Sequence, residues 1–206
     1  MSGLLFVVSA ASGTGKTSLV KALLERVTNL HVSVSHTTRT QRSGELNGVH
    51  YHFISKEEFL NQVKQNGFIE YAEVFGNYYG TSQATVRQQL DQGHDVLLEI
   101  DWQGAEQVRH IFPHAKQIFI LPPSQFDLRQ RLSNRGTDSV DVIEHRLSCA
   151  VEDMQQYTHF DYVIINDDFN KALHDLESIV SANRLSMQQQ AIRHQSLIEK
   201  LLRVEQ

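Results

Sequence analysis

The chain has 206 residues, of which 40% are hydrophobic and 21% charged, with a single cysteine and a formal net charge of −5. These proportions exclude a disordered, collagenous or disulfide-stapled chain, and the acidic balance argues against a protein that coats polymeric nucleic acid with a broad cationic face. The length fits one domain with an inserted lobe; the lone Cys149, the lack of any apolar run near the roughly 20 residues of a membrane helix, and the absence of a signal-peptide core or lipid-anchor pattern predict a cytoplasmic chain.

In chain order, the continuous apolar run at 4–8 reads as a strand buried on both faces. Residues 16–28 then bring Leu19, Val20, Leu23, Leu24 and Val27 to one helical face, so the opening is strand, glycine-bearing loop, helix. From about 33 to 93 the texture turns polar and turn-rich, with Ser43-Gly44 and Asn47-Gly48, which reads as an inserted lobe holding a short strand over 49–54. Ser55-Lys56-Glu57-Glu58 is a capping box opening a helix that Gly67 closes, and Ser82 and Gly93 bracket another. Apolar runs at 95–100, 117–121 and 162–165 read as strands, followed by helical patterns at 104–111, 125–134 and from 169 onward. The last forty residues read as one or two helices, and the stripe Leu197, Ile198, Leu201 and Leu202 reads first as packing on the chain's own domain, with a partner as the alternative and monomer or homo-oligomer undecided. Strands alternating with helices of these lengths predict right-handed βαβ units, hence an α/β fold with a mainly parallel sheet flanked by helices.

The strongest chemical signal is the loop Ala10, Ala11, Ser12, Gly13, Thr14, Gly15, Lys16, Thr17 between the first strand and the first helix. Its glycines allow backbone amides to turn toward a polyphosphate, the helix N-terminus adds positive dipole, Lys16 reaches the outer phosphates, and Thr17 can ligate Mg²⁺. The strict pattern asks for glycine where Ala10 stands. Arg39 and Arg42, among hydroxyls in a turn-rich segment, can fork onto a phosphate, and the residues alone equally allow a solvated loop. Glu99 and Asp101, at the end of the 95–100 strand, fall on one side of it and can hold metal-bound water or hydrogen-bond a base; partnering nearby arginines is the competing reading. Arg131 and Arg135 stand four residues apart on one predicted helix face, with Arg146 beyond, a repulsive arrangement unless an anion lies among them.

The combination resembles the guanylate kinase family over about 4–181, in the order 10–17, Val34-Ser35-His36-Thr37-Thr38-Arg39, Asn77-Tyr78-Tyr79-Gly80, Leu98-Glu99-Ile100-Asp101-Trp102-Gln103-Gly104, Arg135-Gly136-Thr137 and Asn166-Asp167. The resemblance implies transfer of the γ-phosphoryl group of ATP to GMP with Mg²⁺. It further implies a P-loop kinase core (1–32, 94–124, 156–206), a GMP-binding lobe (33–93) and a mobile helical lid (125–155). By position, Arg39, Arg42, Tyr51 and Tyr79 would hold the GMP phosphate with Glu45 in support, and Ser35, Glu70, Gly80, Thr81 and Asp101 would line the guanine side. Lys16, Arg131, Arg135 and Arg146 would surround the ATP phosphates, Asn166 would meet adenine, and Thr17 with Glu99 would hold the metal, Glu99 through water. Guanine presents N1–H and an amine as donors, which carboxylates accept. Two other readings stay open at this stage: a kinase of another small phosphate acceptor such as ribose bisphosphate, and a non-catalytic binding module on the same scaffold.

Overall fold

The computed structural model describes residues 3–74, 76–133 and 140–203, with 140–142 described by backbone alone. The chain opens with β1 (Leu5–Ala10) and α1 (Lys16–Arg26), followed by short strands β2 (Leu30–Val32), β3 (His36–Thr37) and β4 (His52–Phe53). Then come α2 (Lys56–Lys64), the ribbon β5 (Phe68–Val74) and β6 (Asn77–Ser82), and α3 (Gln83–Asp91). The second half alternates β7 (Asp95–Glu99), α4 (Trp102–Ile111), β8 (Lys116–Leu121), α5 (Gln125–Ser133), α6 (Val140–Met154) and β9 (Tyr162–Ile165). It closes with α7 (Phe169–Arg184), α8 (Met187–Arg193) and α9 (Gln195–Leu201).

Five strands form one sheet in the order β2-β7-β1-β8-β9, every neighbouring pair parallel. Central β1 is apolar from Leu5 to Val8 because both its faces are covered. Phe6 and Val8 point into a cluster with Leu19, Leu23, Leu173 and Leu176, whereas Leu5 and Val7 pack with Val86, Leu90, Leu98 and Val108. Fully burying each such side chain is worth about 1.5–3 kcal/mol. The chain leaves β1 toward β2 on one side and reaches β8 on the other, so a crevice opens at the carboxyl ends of β1, β7 and β8.

The opposite edge is closed by charge. Asp95, fully buried at the start of β7, accepts hydrogen bonds from the Leu4 amide (2.8 Å), Arg184 Nε (2.7 Å) and Arg193 (3.0 Å), tying α7 and α8 to the sheet. Asp95→Asn keeps an acceptor for Leu4 but loses the charge both arginines face. The substitution is expected to cost about 2 kcal/mol in urea unfolding; an unchanged midpoint would show that the two arginines contribute nothing.

A second sheet, ordered β4-β3-β6-β5, stands apart from the first, with β3 and β4 parallel and the other pairs antiparallel. Phe59 of α2 fills its core, stacked on Phe68 (4.4 Å) and Tyr78 (5.4 Å). His36 stacks on His52 at 4.6 Å, and burial beside that second imidazole pushes the His36 pKa down to about 4.

Several expectations are corrected. The strand over 49–54 shrinks to His52–Phe53, because the Asn47-Gly48 turn continues through His50 and leaves Val49 exposed. The segment 33–93 holds four strands rather than one. Its capping box forms as expected, Ser55 accepting from the Glu58 amide, but the left-handed residue after α2 is Asn66 (φ 54°), not Gly67. The C-terminal region makes three helices, and Leu197, Ile198, Leu201 and Leu202 are exposed instead of packed on the domain.

Candidate active site

The loop after β1 curls because Gly13 (φ 89°) and Gly15 (φ 94°) adopt the left-handed conformation that side chains resist. Contacts demand glycine as well: a Cβ at Gly13 would meet Leu128 and Leu132 at 3.0 Å, and one at Gly15 would meet Asn166 Nδ2 at 2.6 Å. Ala10, where the strict motif has glycine, is simply the last residue of β1. Residues 10–18 line a concavity of about 340 Å³.

Neighbouring elements hold this loop from below and deliver cations to it. Asn166, after β9, donates from Nδ2 to the Thr14 carbonyl (2.7 Å), and Arg131 of α5 donates to the carbonyls of Thr14 (3.1 Å) and Asn166 (3.0 Å). Arg146 of α6 donates to Ser12 Oγ at 2.8 Å. The helices carrying these arginines pack on the loop through Ala11, Leu128, Leu132 and Ala150. Arg135 lies outside the described residues.

Lys16 crosses the sheet to donate to the Ile100 carbonyl at 2.9 Å. Burial lowers its pKa, and the carboxylates of Glu99, Asp101 and Asp153 oppose that shift. Thr17 Oγ1 donates to Glu99 Oε1 across the crevice. A hydroxyl beside a carboxylate is a hard-oxygen pair suited to Mg²⁺, which takes its remaining ligands from water and phosphate; among the described residues no cluster of three metal-ligating side chains exists. Asp101 is not a strand residue sharing a face with Glu99, as expected from the sequence. It is the N-cap of α4, accepting from the Gly104 amide at 2.8 Å, though both carboxylates stand at the same sheet edge.

The second sheet supplies a facing pocket. Arg39 donates to Glu45 Oε1 (2.7 Å) and to the Thr40 carbonyl (2.8 Å), while the Arg42 amide donates to Glu45 Oε2 (2.8 Å). The Arg39 guanidinium and the Arg42 amide hold the Glu45 carboxyl below its ordinary range. The guanidinium also sits 5.5 Å from the Tyr51 ring, with Tyr79 edge-on to Tyr51 at 5.9 Å. The Arg42 side chain is exposed. Burial and the neighbouring Tyr79 raise the Tyr51 phenol pKa, with Arg39 opposing.

Deeper in this pocket, Glu70 of β5 is 6% exposed and accepts from Thr81 Oγ1 at 2.6 Å. Burial and the neighbouring Asp101 push its pKa up to about 7, against the pull of the Thr81 hydrogen bond. Ser35 lies just before β3, its carbonyl accepting from the His52 amide. Gly80 is squeezed between Phe59 and Phe68, where a Cβ would come within 3.0–3.1 Å. Three contributors have no role in the sequence reading, although Trp102 and Gly104 lie within the motif that carries the resemblance. Gly104 leaves room for Glu70, since a Cβ there would lie 3.0 Å from Glu70 Oε2. Trp102 and Asp153 hydrogen-bond across the chain, a pairing no local pattern announces.

A parallel sheet whose phosphate loop faces a second pocket of arginine, tyrosine and carboxylate is the layout of a P-loop nucleotide kinase. The guanylate kinase family model matches residues 2–183. The chain is 84% identical to a guanylate kinase of Acinetobacter baylyi, over 98% of each protein, and 58% identical to one of Psychrobacter arcticus, over 98% of this chain and 97% of that one. Its fold superposes on the crystal structure of guanylate kinase from Anaplasma phagocytophilum with a TM-score of 0.77 and 33% identity, covering 99% of this chain and 97% of that one. The chain belongs to the guanylate kinase family. Among the described residues no helix is long and apolar enough to cross a membrane.

Proposed function

We propose that this chain transfers the γ-phosphoryl group of ATP to GMP, giving ADP and GDP. The observation that carries the reading is the buried Glu70 beside Asp101, a pair of acceptors set across the crevice from the phosphate loop. Guanine offers donors at N1 and its exocyclic amine to such a pair, with Ser35 and Thr81 as further polar contacts, whereas adenine offers an acceptor at N1. Arg39, Arg42, Tyr51 and Tyr79 would grip the GMP phosphate, with Glu45 holding Arg39 in place.

On the donor side the amides of the 10–17 loop and Lys16 would bind the ATP phosphates. Arg131, Arg135 and Arg146 would neutralise the migrating group, and Asn166 would serve the adenosine end. Thr17, and Glu99 through water, would hold Mg²⁺, which neutralises phosphate charge when bound. The attacking atom is a phosphate oxygen that is already anionic, so positioning and charge neutralisation suffice without a strong general base. On this reading the segments 1–32, 94–124 and 156–206 form the core, 33–93 the GMP lobe and 125–155 a lid, in a cytoplasmic enzyme whose exposed Cys149 stays reduced.

A coupled ADP-release assay with ATP, Mg²⁺ and GMP, dGMP, AMP, UMP, CMP or ribose bisphosphate tests this. Release confined to GMP, or to GMP and dGMP, is expected. Release with ribose bisphosphate would keep the phosphotransfer but overturn the guanine assignment, and silence with every acceptor would leave a binding module.

A further inference from the structure

The C-terminal end of α6 is joined to α4 by two polar staples. Trp102, the first residue of α4, donates from its indole Nε1 to Asp153 Oδ1 at 3.0 Å. Farther along α4, Arg109 donates to the carbonyl of His159, in the 3-10 turn Gln155–His159 that continues α6, and to Gln117 Oε1 at 2.5 Å. Beside these staples lies a cavity of about 450 Å³ lined by Trp102, Glu106, Arg109, Gln117, His159 and Phe160. Apolar contacts of Ala150, Leu147 and Met154 seat α6 on α5 and the phosphate loop, and the two hydrogen bonds add its tie to α4.

The placement of the joint gives it consequence. Trp102 directly follows Asp101, the carboxylate next to Glu70. Asp153 lies about two turns beyond Arg146 on α6, hence on the same helix face, and Arg146 touches Ser12 of the phosphate loop at 2.8 Å. Asp153 also stands in the field of Lys16 and Asp101, with burial raising its carboxyl above the ordinary range. One helix thus carries a donor-side cation near its middle and, at its end, a bond to the residue beside the acceptor-side carboxylate.

We propose that Asp153 is a positioning residue for phosphoryl transfer, its hydrogen bond from Trp102 fixing α6, and with it Arg146, against the phosphate loop in register with Asp101. It touches neither substrate. The proposal rests on the ATP:GMP reading above.

The test compares Asp153→Ala, Asp153→Asn, Trp102→Phe and the Asp153→Ala/Trp102→Phe double variant by steady-state kinetics, with calorimetric binding of GMP and of a non-hydrolysable ATP analogue. Misplacing a catalytic cation by a fraction of an ångström supports an expected loss of about tenfold in kcat for Asp153→Ala, with weaker analogue binding and GMP affinity within about twofold of wild type. Trp102→Phe should lose as much, and the double variant no more, because each single change removes the same bond. Asp153→Asn should recover most of the activity, its amide oxygen accepting the same indole proton. Wild-type kcat in Asp153→Ala would overturn the proposal. So would an Asp153→Asn as poor as Asp153→Ala, since charge near Lys16 would then be responsible. If Asp153→Ala does not fold, Trp102→Phe against Asp153→Asn carries the comparison. A wild-type protein that neither binds nor phosphorylates GMP refutes the functional reading instead, and the analogue-binding contrast between the variants still decides the role of Asp153.

Discussion

Lys16→Ala is expected to lower kcat by about 10²–10³-fold while GMP affinity stays at the wild-type value. The side chain leaves the phosphate loop, crosses to the end of β7 and donates to the Ile100 carbonyl, so its ammonium sits between the donor loop and the carboxylates of Glu99 and Asp101. Burial lowers the pKa of the amine, and the three nearby acids oppose that shift. A charge kept in so desolvated a place acts strongly on a phosphoryl group whose oxygens gain charge in transit. Alanine removes that charge and leaves Glu99 and Asp101 without their counter-ion, so the donor phosphates would meet an acidic edge. On the proposed reading, the GMP pocket is built from the second sheet and the start of α4 and does not include Lys16. Single-turnover kinetics with saturating ATP, paired with calorimetric GMP binding, checks the split. A fall in kcat of less than about tenfold would remove Lys16 from the centre of the chemistry.

Local patterns and distant ones differ sharply in how much of this arrangement the sequence discloses. The 10–17 loop is legible because its parts are contiguous: a doubly buried strand, glycines at the two positions that need positive φ, a lysine and a hydroxyl opening a helix. Strands β7 and β8 are legible as apolar runs because the helices on both faces leave no solvent side to alternate toward, whereas edge strand β9 is apolar although Val163 and Ile165 stay exposed. The lobe is far less so. Strands β3 and β4 are two residues long, too short for any period, and exist because β6 supplies the partner of β3 and β3 that of β4. Glu70 sits in β5 like any polar residue of a half-exposed strand, and only its position in the family resemblance singled it out. What resemblance does not convey is the environment: the room left by Gly104, the approach of Asp101 as a helix cap, and the burial that shifts Glu70's pKa. Likewise the resemblance points Asn166 toward adenine, whereas the structure shows its amide nitrogen fastened to the Thr14 carbonyl. Asp95, with partners from three distant segments, gave no local sign of its place beneath the sheet.

On the proposed reading, Glu70 makes GMP recognition depend on pH in a defined direction. In the free protein its pKa is raised to about 7 from an ordinary 4.5, so near neutrality the carboxyl is about half protonated. A group whose pKa is raised by folding favours the fold most when protonated, and its contribution declines as pH climbs from about 4.5 through 7. Guanine binding runs the other way. The donors at N1 and the amine require the ionised carboxylate, so GMP must displace the proton, and its apparent Kd should rise about tenfold for each pH unit below 7. His36, with its pKa near 4, titrates below this window. The phosphate of GMP has its own ionisation at about 6, so guanosine, which lacks it, is the cleaner probe. Guanosine affinity is expected to weaken steadily from pH 8 to 5.5 in the wild type. Glu70→Gln keeps one acceptor oxygen but neither the charge nor the titration, so its affinity should be flat over that range and, at pH 8, about 10²-fold weaker than wild type for GMP. A wild-type guanosine affinity that does not change with pH, or a Glu70→Gln variant that binds GMP normally at pH 8, would place the reading of guanine elsewhere in the pocket.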